Sequence, residues 1–95
     1  MNRVELSARI AEAKALRYTP AGLPALDLML DHESEASEAG QVRQVKVEVK
    51  AVAFGSQAET LSRQPIGSQW IFCGFLATPR NGKHPRLHIQ SFQQD

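Results

Sequence analysis

Cysteine occurs once in this chain of 95 residues, as Cys73, and tryptophan and tyrosine also occur once each. One cysteine excludes an intrachain disulfide and any zinc site built on several thiolates. An intracellular setting is the simplest reading. No apolar run approaches the roughly 20 residues of a membrane-spanning helix, and the opening MNRVELSARI alternates where a signal peptide would be continuously apolar. A cytoplasmic protein with no membrane partner is expected. The chain also lacks a Gly-rich phosphate loop and a nucleophile elbow. Its histidines are His32, His84 and His88. The last two stand four apart in a strand-like setting interrupted by Pro85, which breaks the helical geometry of paired metal ligands. No metal, cofactor or enzymatic chemistry is expected, and Cys73 in its apolar segment reads as core filler.

What is present suits one domain spanning residues 1–95, with a small core to which a partner subunit would add burial. The formal net charge is only +1, but the charge is unevenly placed. DHESEASEAG holds Asp31, Glu33, Glu35 and Glu38 without a Lys or Arg, whereas from Gln41 onward seven Lys and Arg face three Asp and Glu. A polyanionic partner therefore has to be sought face by face.

Period-two patterning dominates. VELSARI sets Val4, Leu6, Ala8 and Ile10 against Glu5, Ser7 and Arg9, a half-buried strand. TPAGLP supplies a turn, and PALDLMLDH resumes alternation through Leu26, Leu28 and Leu30, pairing with the first strand. The acidic segment reads as a solvated, mobile loop. VRQVKVEVKAVAF is the clearest strand, with a shift of apolar phase near Ala51 that predicts a bulge. A short helix or turn follows in GSQAETLSRQPIG, with Ser56 and Glu59 as a capping box. SQWIFCGFLAT is apolar on both faces, so Trp70, Phe72 and Phe75 are assigned to the core, and Phe54 at the end of the preceding strand is counted with them. Gly74 within it predicts a sharp coil or a close backbone approach. RLHIQSF returns across a hairpin whose Asn81-Gly82 pair predicts the positive φ angles of a tight turn. Five strands with a short helix or turn between strands three and four predict an all-β, partly open OB-fold barrel.

In such a barrel the loops joining strands one to two and four to five rise beside the face of strands two and three, where oligonucleotides lie. Lys14, Arg17 and Tyr18 belong to the first loop; Arg80, Lys83, His84 and Arg86 to the second; Lys46 and Lys50 point outward from strand three. Each cluster alone is no more than ordinary solvated surface. Placed on three elements of one groove, they point to a nucleic-acid backbone. Tyr18 is the one aromatic assigned to a binding loop, so binding is expected to be mainly electrostatic, weak and salt-dependent.

The stretches MNRVELSARI, LRYTPAGLP, VRQVKVEV, IGSQWIFCGFLA and NGKHPRLHIQSF resemble the bacterial primosomal replication protein N (PriB) family nearly end to end. The resemblance implies an OB-fold homodimer without enzymatic activity. It implies single-stranded DNA binding and a role in replication restart beside the primosomal helicase. A helicase-loading protein and single-stranded DNA-binding protein stand as further candidate partners. Family DNA contacts fall on the loop that here carries Arg80, Lys83 and Arg86, and Arg17 lies in a region that is also basic in the family. The chain departs from better-studied members in having Lys46 in place of a Trp, Gln41 in place of a Phe and Glu33 in place of a basic residue. Weaker DNA binding is expected from those departures. Two alternatives stay open: a protein–protein adaptor with vestigial nucleic-acid binding, and an RNA-binding OB domain.

Overall fold

The computed structural model describes residues 1–94. It has six strands and one helix: β1 (Val4–Ala13), β2 (Arg17–Tyr18), β3 (Pro24–Glu38), β4 (Gln41–Phe54), α1 (Ser56–Ser62), β5 (Gln69–Ala77) and β6 (Arg86–Gln93). Five of the strands close a ring in the order β1-β5-β6-β4-β3, because β3 pairs back onto β1; β2 adds a short edge beside β3. This is the OB arrangement, with α1 between the third and fourth ring strands.

Alternation explains most of it. Ala8 and Ile10 on β1, Leu26, Leu28 and Leu30 on β3, and Leu87 and Ile89 on β6 point inward and are buried. They meet Phe72, the largest fully buried side chain, and α1 covers one barrel opening with Ala58 and Leu61. β1 serves two neighbours in turn. Residues 4–9 pair with β5 and residues 9–13 with β3, and a register shift between Ile10 and Glu12 bends the strand from one to the other.

The acidic segment is not a loop. β3 continues through it to Glu38 and pairs with β4 in unbroken register from Ala25↔Phe54 to Glu38↔Gln41. The distal part is a two-stranded ribbon standing out from the barrel. It accounts for extents of 50 × 29 × 21 Å and a radius of gyration of 14.1 Å, against about 12 Å for a compact chain of this length. Both ribbon faces meet water, so no apolar alternation marks its β3 half, Glu33 to Glu38, in the sequence. Cross-strand polar pairs hold it instead: Arg43–Glu38 at 2.7 Å, Gln44–Glu35 at 2.9 Å and Lys46–Glu33 at 3.9 Å. The turn is Ala39-Gly40, with φ of 53° and 78°, the two-residue form that matches strand twist. Gly40 takes this freely, whereas Ala39 is strained by about 1 kcal/mol. Replacing Ala39 with Asn is expected to slow amide exchange in the ribbon about fivefold, the equivalent of ~1 kcal/mol. Unchanged exchange would mean that the ribbon opens without unwinding its turn.

Three other expectations are corrected. There is no bulge near Ala51; Ala51 and Ala53 face the core while Val52, also buried, lies on the outer face between its Cα partners Asp27 and His88. Ser56 does not cap α1. Gly55 does, at φ 69° and with no side-chain cap, because the chain must reverse sharply where β4 ends. Finally, neither Asn81 nor Gly82 has positive φ. The turn is closed by Gly82 N–H donating to the Pro79 carbonyl at 2.9 Å. Glycine is needed there for space, since a Cβ would lie 2.5 Å from Pro79 Cγ. The expected close approach at Gly74 is present: its register shifts at Cys73, and a Cβ would overlap the His88 carbonyl oxygen.

Candidate nucleic-acid interface

Strand parity decides which side chains reach the outer face. Asp27 sits between the inward Leu26 and Leu28, Lys50 precedes the inward Ala51, and Arg86 precedes the inward Leu87. With Lys14 just past β1 and Arg17 on β2, these residues line a cleft of about 340 Å³, and Glu12 also borders it. Four cations from four separate segments thus converge, as the sequence reading expected for Lys14, Arg17, Lys50 and Arg86.

Asp27 lies in the cleft and was missed by that reading. Its carboxylate accepts from Arg17 through both oxygens, from Nε at 2.7 Å and from Nη2 at 3.2 Å. Arg86 Nη1 is 3.8 Å away. Arg17, then Arg86 and Lys14, hold the Asp27 carboxyl below the usual carboxylate range against the opposing effect of desolvation. Lys14 is fixed in turn by its backbone N–H, which donates to the Asp27 carbonyl at 3.0 Å.

Arg80, Lys83 and His84 stand exposed on the loop that leads into Arg86. Among the described residues, Lys14, Lys50, Arg80 and Lys83 have no ion-pair partner. Tyr18 projects beside Arg17 with 65 % of its surface exposed. Lys46 is not part of this gathering. It lies on the ribbon opposite Glu33, which offsets its charge.

Two aromatics assigned to the core from sequence are on the outer face. Phe75 stacks on His88 with ring centroids 4.9 Å apart, and the Phe54 ring lies tilted with its centroid 6.0 Å from that of His88. Parity contained the signal: Phe72 and Gly74 point inward, so Phe75 cannot, and Phe54 shares the phase of Lys50. The row gives flat apolar surface next to the cations, the combination on which single strands stack. Trp70 does pack against the core, edge-on to Phe92 at 5.1 Å, as expected. Cys73 is only half-buried on the outer side, 3.9 Å from Glu5. His32 is tied to the Ser7 carbonyl and the Ser34 hydroxyl, a structural role. No group of three or more potential metal ligands occurs among the described residues.

The His88 imidazole titrates below its ordinary value, first because burial disfavours the cation and then because Arg86 is near. The unfolded chain therefore binds a proton more readily than the folded one below about pH 6.5. His88 favours the fold fully above that pH, and the contribution is lost as pH falls through the folded value. The urea midpoint is expected to drop from pH 7.5 to pH 5.5, and less so in His88→Gln. Asp27 acts only in more acidic solution, so the two windows separate. Equal drops in both proteins would remove His88 as the cause.

Residues 2–91 match the model of a family described as another single-strand binding protein family. The replication restart protein PriB of Bordetella pertussis is 50 % identical over 91 residues, covering 95 % of this chain and 85 % of the relative. That of Neisseria gonorrhoeae is 42 % identical over 94 residues, covering 98 % and 93 %. Among solved structures, PriB from Ralstonia solanacearum superposes with a TM-score of 0.90 at 35 % identity, over 99 % of this chain and 97 % of that one. The single-stranded DNA binding protein of Thermus aquaticus gives 0.78 at 25 % identity, over 98 % of this chain and 49 % of its own.

Proposed function

The chain belongs to the PriB family of single-strand binding proteins, and on that premise we propose that it binds single-stranded DNA as an accessory subunit in replication restart. One observation carries the reading: Lys14, Arg17, Lys50 and Arg86 arrive from four segments on one outer-face cleft, beside the Phe54–His88–Phe75 row. Cations track the phosphates, and the rings offer stacking surface worth about 1–3 kcal/mol per base. The exposed Arg80 and Lys83 extend the track along the β5–β6 loop.

The ribbon does the reverse. Residues 31–48 hold five carboxylates and two cations, Arg43 and Lys46, both already paired. It turns a polyanion toward the cleft side. We also propose that the chain works as a cytoplasmic homodimer, residues 4–8 of β1 offering the free edge, and that it stimulates the primosomal helicase without enzymatic activity of its own.

The adaptor reading has one observation of its own. Val42 and Val47 on the ribbon are 72 % and 45 % exposed, which suits a protein partner better than DNA. Titrating labelled oligo-dT with the protein, alone and with the helicase, separates the two. Saturable, salt-sensitive binding by the protein alone supports the DNA reading. Binding seen only through the helicase supports the adaptor.

A further inference from the structure

We propose that Asp27 is a resident counter-anion of the cleft: its carboxylate stands where a DNA phosphate binds, keeping Arg17 and Arg86 ordered and holding affinity down. The inference rests on the DNA-binding reading and deepens it by naming a residue that sets the strength of binding.

The geometry carries it. Guanidinium forks bind carboxylate and phosphate with the same paired N–H···O arrangement. Arg17 presents Nε and Nη2 to Asp27, the side of the fork that a phosphate would take. Arg86 approaches the same carboxylate from β6, a strand that is not adjacent to β3. Two cations on separate strands are therefore aimed at one anion position on the outer face. The carboxylate is partly open, with 24 % of its side chain exposed, so an incoming oxyanion can compete for the same donors. Lys14 and Lys50 on the cleft wall have no such partner among the described residues.

The consequence is specific. A phosphate that takes Arg17 or Arg86 from Asp27 releases an internal carboxylate, which stays beside the bound DNA. It does not release a counterion to solution. Those contacts are accordingly muted in both affinity and salt dependence. Ordering works the other way, since Arg17 is already held in place, but the like charge left beside the phosphate outweighs it, because Asp27 is only 24 % exposed and water screens it incompletely.

The test uses Asp27→Asn, which keeps size and an acceptor for Arg17 while removing the charge, and labelled oligo-dT across a salt series. Affinity at 0.1 M NaCl is expected to rise about tenfold. The slope of log affinity against log salt should steepen by about 0.7–1.4, one or two further phosphates' worth of counterion release. A residue that only fastened β2 to β3 would not steepen the slope. Asp27→Ser, too short to reach either arginine, is expected to move in the same direction and takes over if the Asn variant does not fold. Binding by the wild type with no gain in affinity or slope in folded variants overturns the Asp27 inference and leaves the DNA reading standing. Failure of the wild type and both variants to bind oligo-dT at low salt removes both.

Discussion

Replacing Lys14, Lys50, Arg80 and Lys83 with alanine is expected to flatten the salt slope for oligo-dT by about 3, at ~0.7 per neutralised phosphate on a single strand. If the two proteins converge near 1 M salt, the loss at 0.1 M is roughly 10²–10³-fold. These four are chosen because they have no ion-pair partner among the described residues. The fold should persist, since exposed polar substitutions usually stay within about 0.5 kcal/mol. Arg43 and Lys46 are the internal control. Both are cations on the ribbon, but each faces a glutamate, at 2.7 Å and 3.9 Å. Alanine at both should leave the slope within error. A ribbon variant that flattened the slope as much as the cleft variant would mean that DNA follows the β3–β4 arm.

Gly74→Ala is expected to cost the fold about 3 kcal/mol, at the upper end of overpacking. That corresponds to a fall in Tm of roughly 12–24 °C for a domain this small. The cause is backbone against backbone. Gly74 is buried at the register shift of β5, where the new methyl would overlap the His88 carbonyl oxygen and stand 2.8 Å from its carbon. No rotamer change relieves this, so β5 and β6 must separate or re-register, and the Phe75–His88 stack moves with them. Cys73→Ala next to it, at a half-buried site, serves as the reference. If Gly74→Ala melts with the wild type, the two strands have more freedom here than their contact allows.

The ring of the barrel was legible because each of its strands has one dry face, and alternation through Leu26, Leu28 and Leu30 or Leu87 and Ile89 reports that directly. The β3 half of the ribbon was not, because a strand wet on both faces need carry no apolar period. Asp31 to Glu38 therefore read as a loop, although its partners across β4 were in the sequence. Cations are visible one by one, which is why Lys14, Arg17, Lys50 and Arg86 could be named. Whether a cation is free or paired depends on cross-strand register. That is how Lys46 came to be counted with the groove and Asp27 passed unnoticed. Phe75 was assigned to the core because its strand is apolar on both faces, and Phe54 because of the phase shift expected near Ala51; unbroken parity puts both on the outer face.

The most direct measurement is the map of amide shifts when oligo-dT is titrated into ¹⁵N-labelled protein. The expected pattern runs through Lys14, Arg17, Asp27, Lys50 and the stretch from Arg80 to His88, with the ribbon between Glu33 and Lys46 unmoved. Shifts concentrated on that ribbon, with the cleft silent, would contradict the outer-face cleft as the binding site.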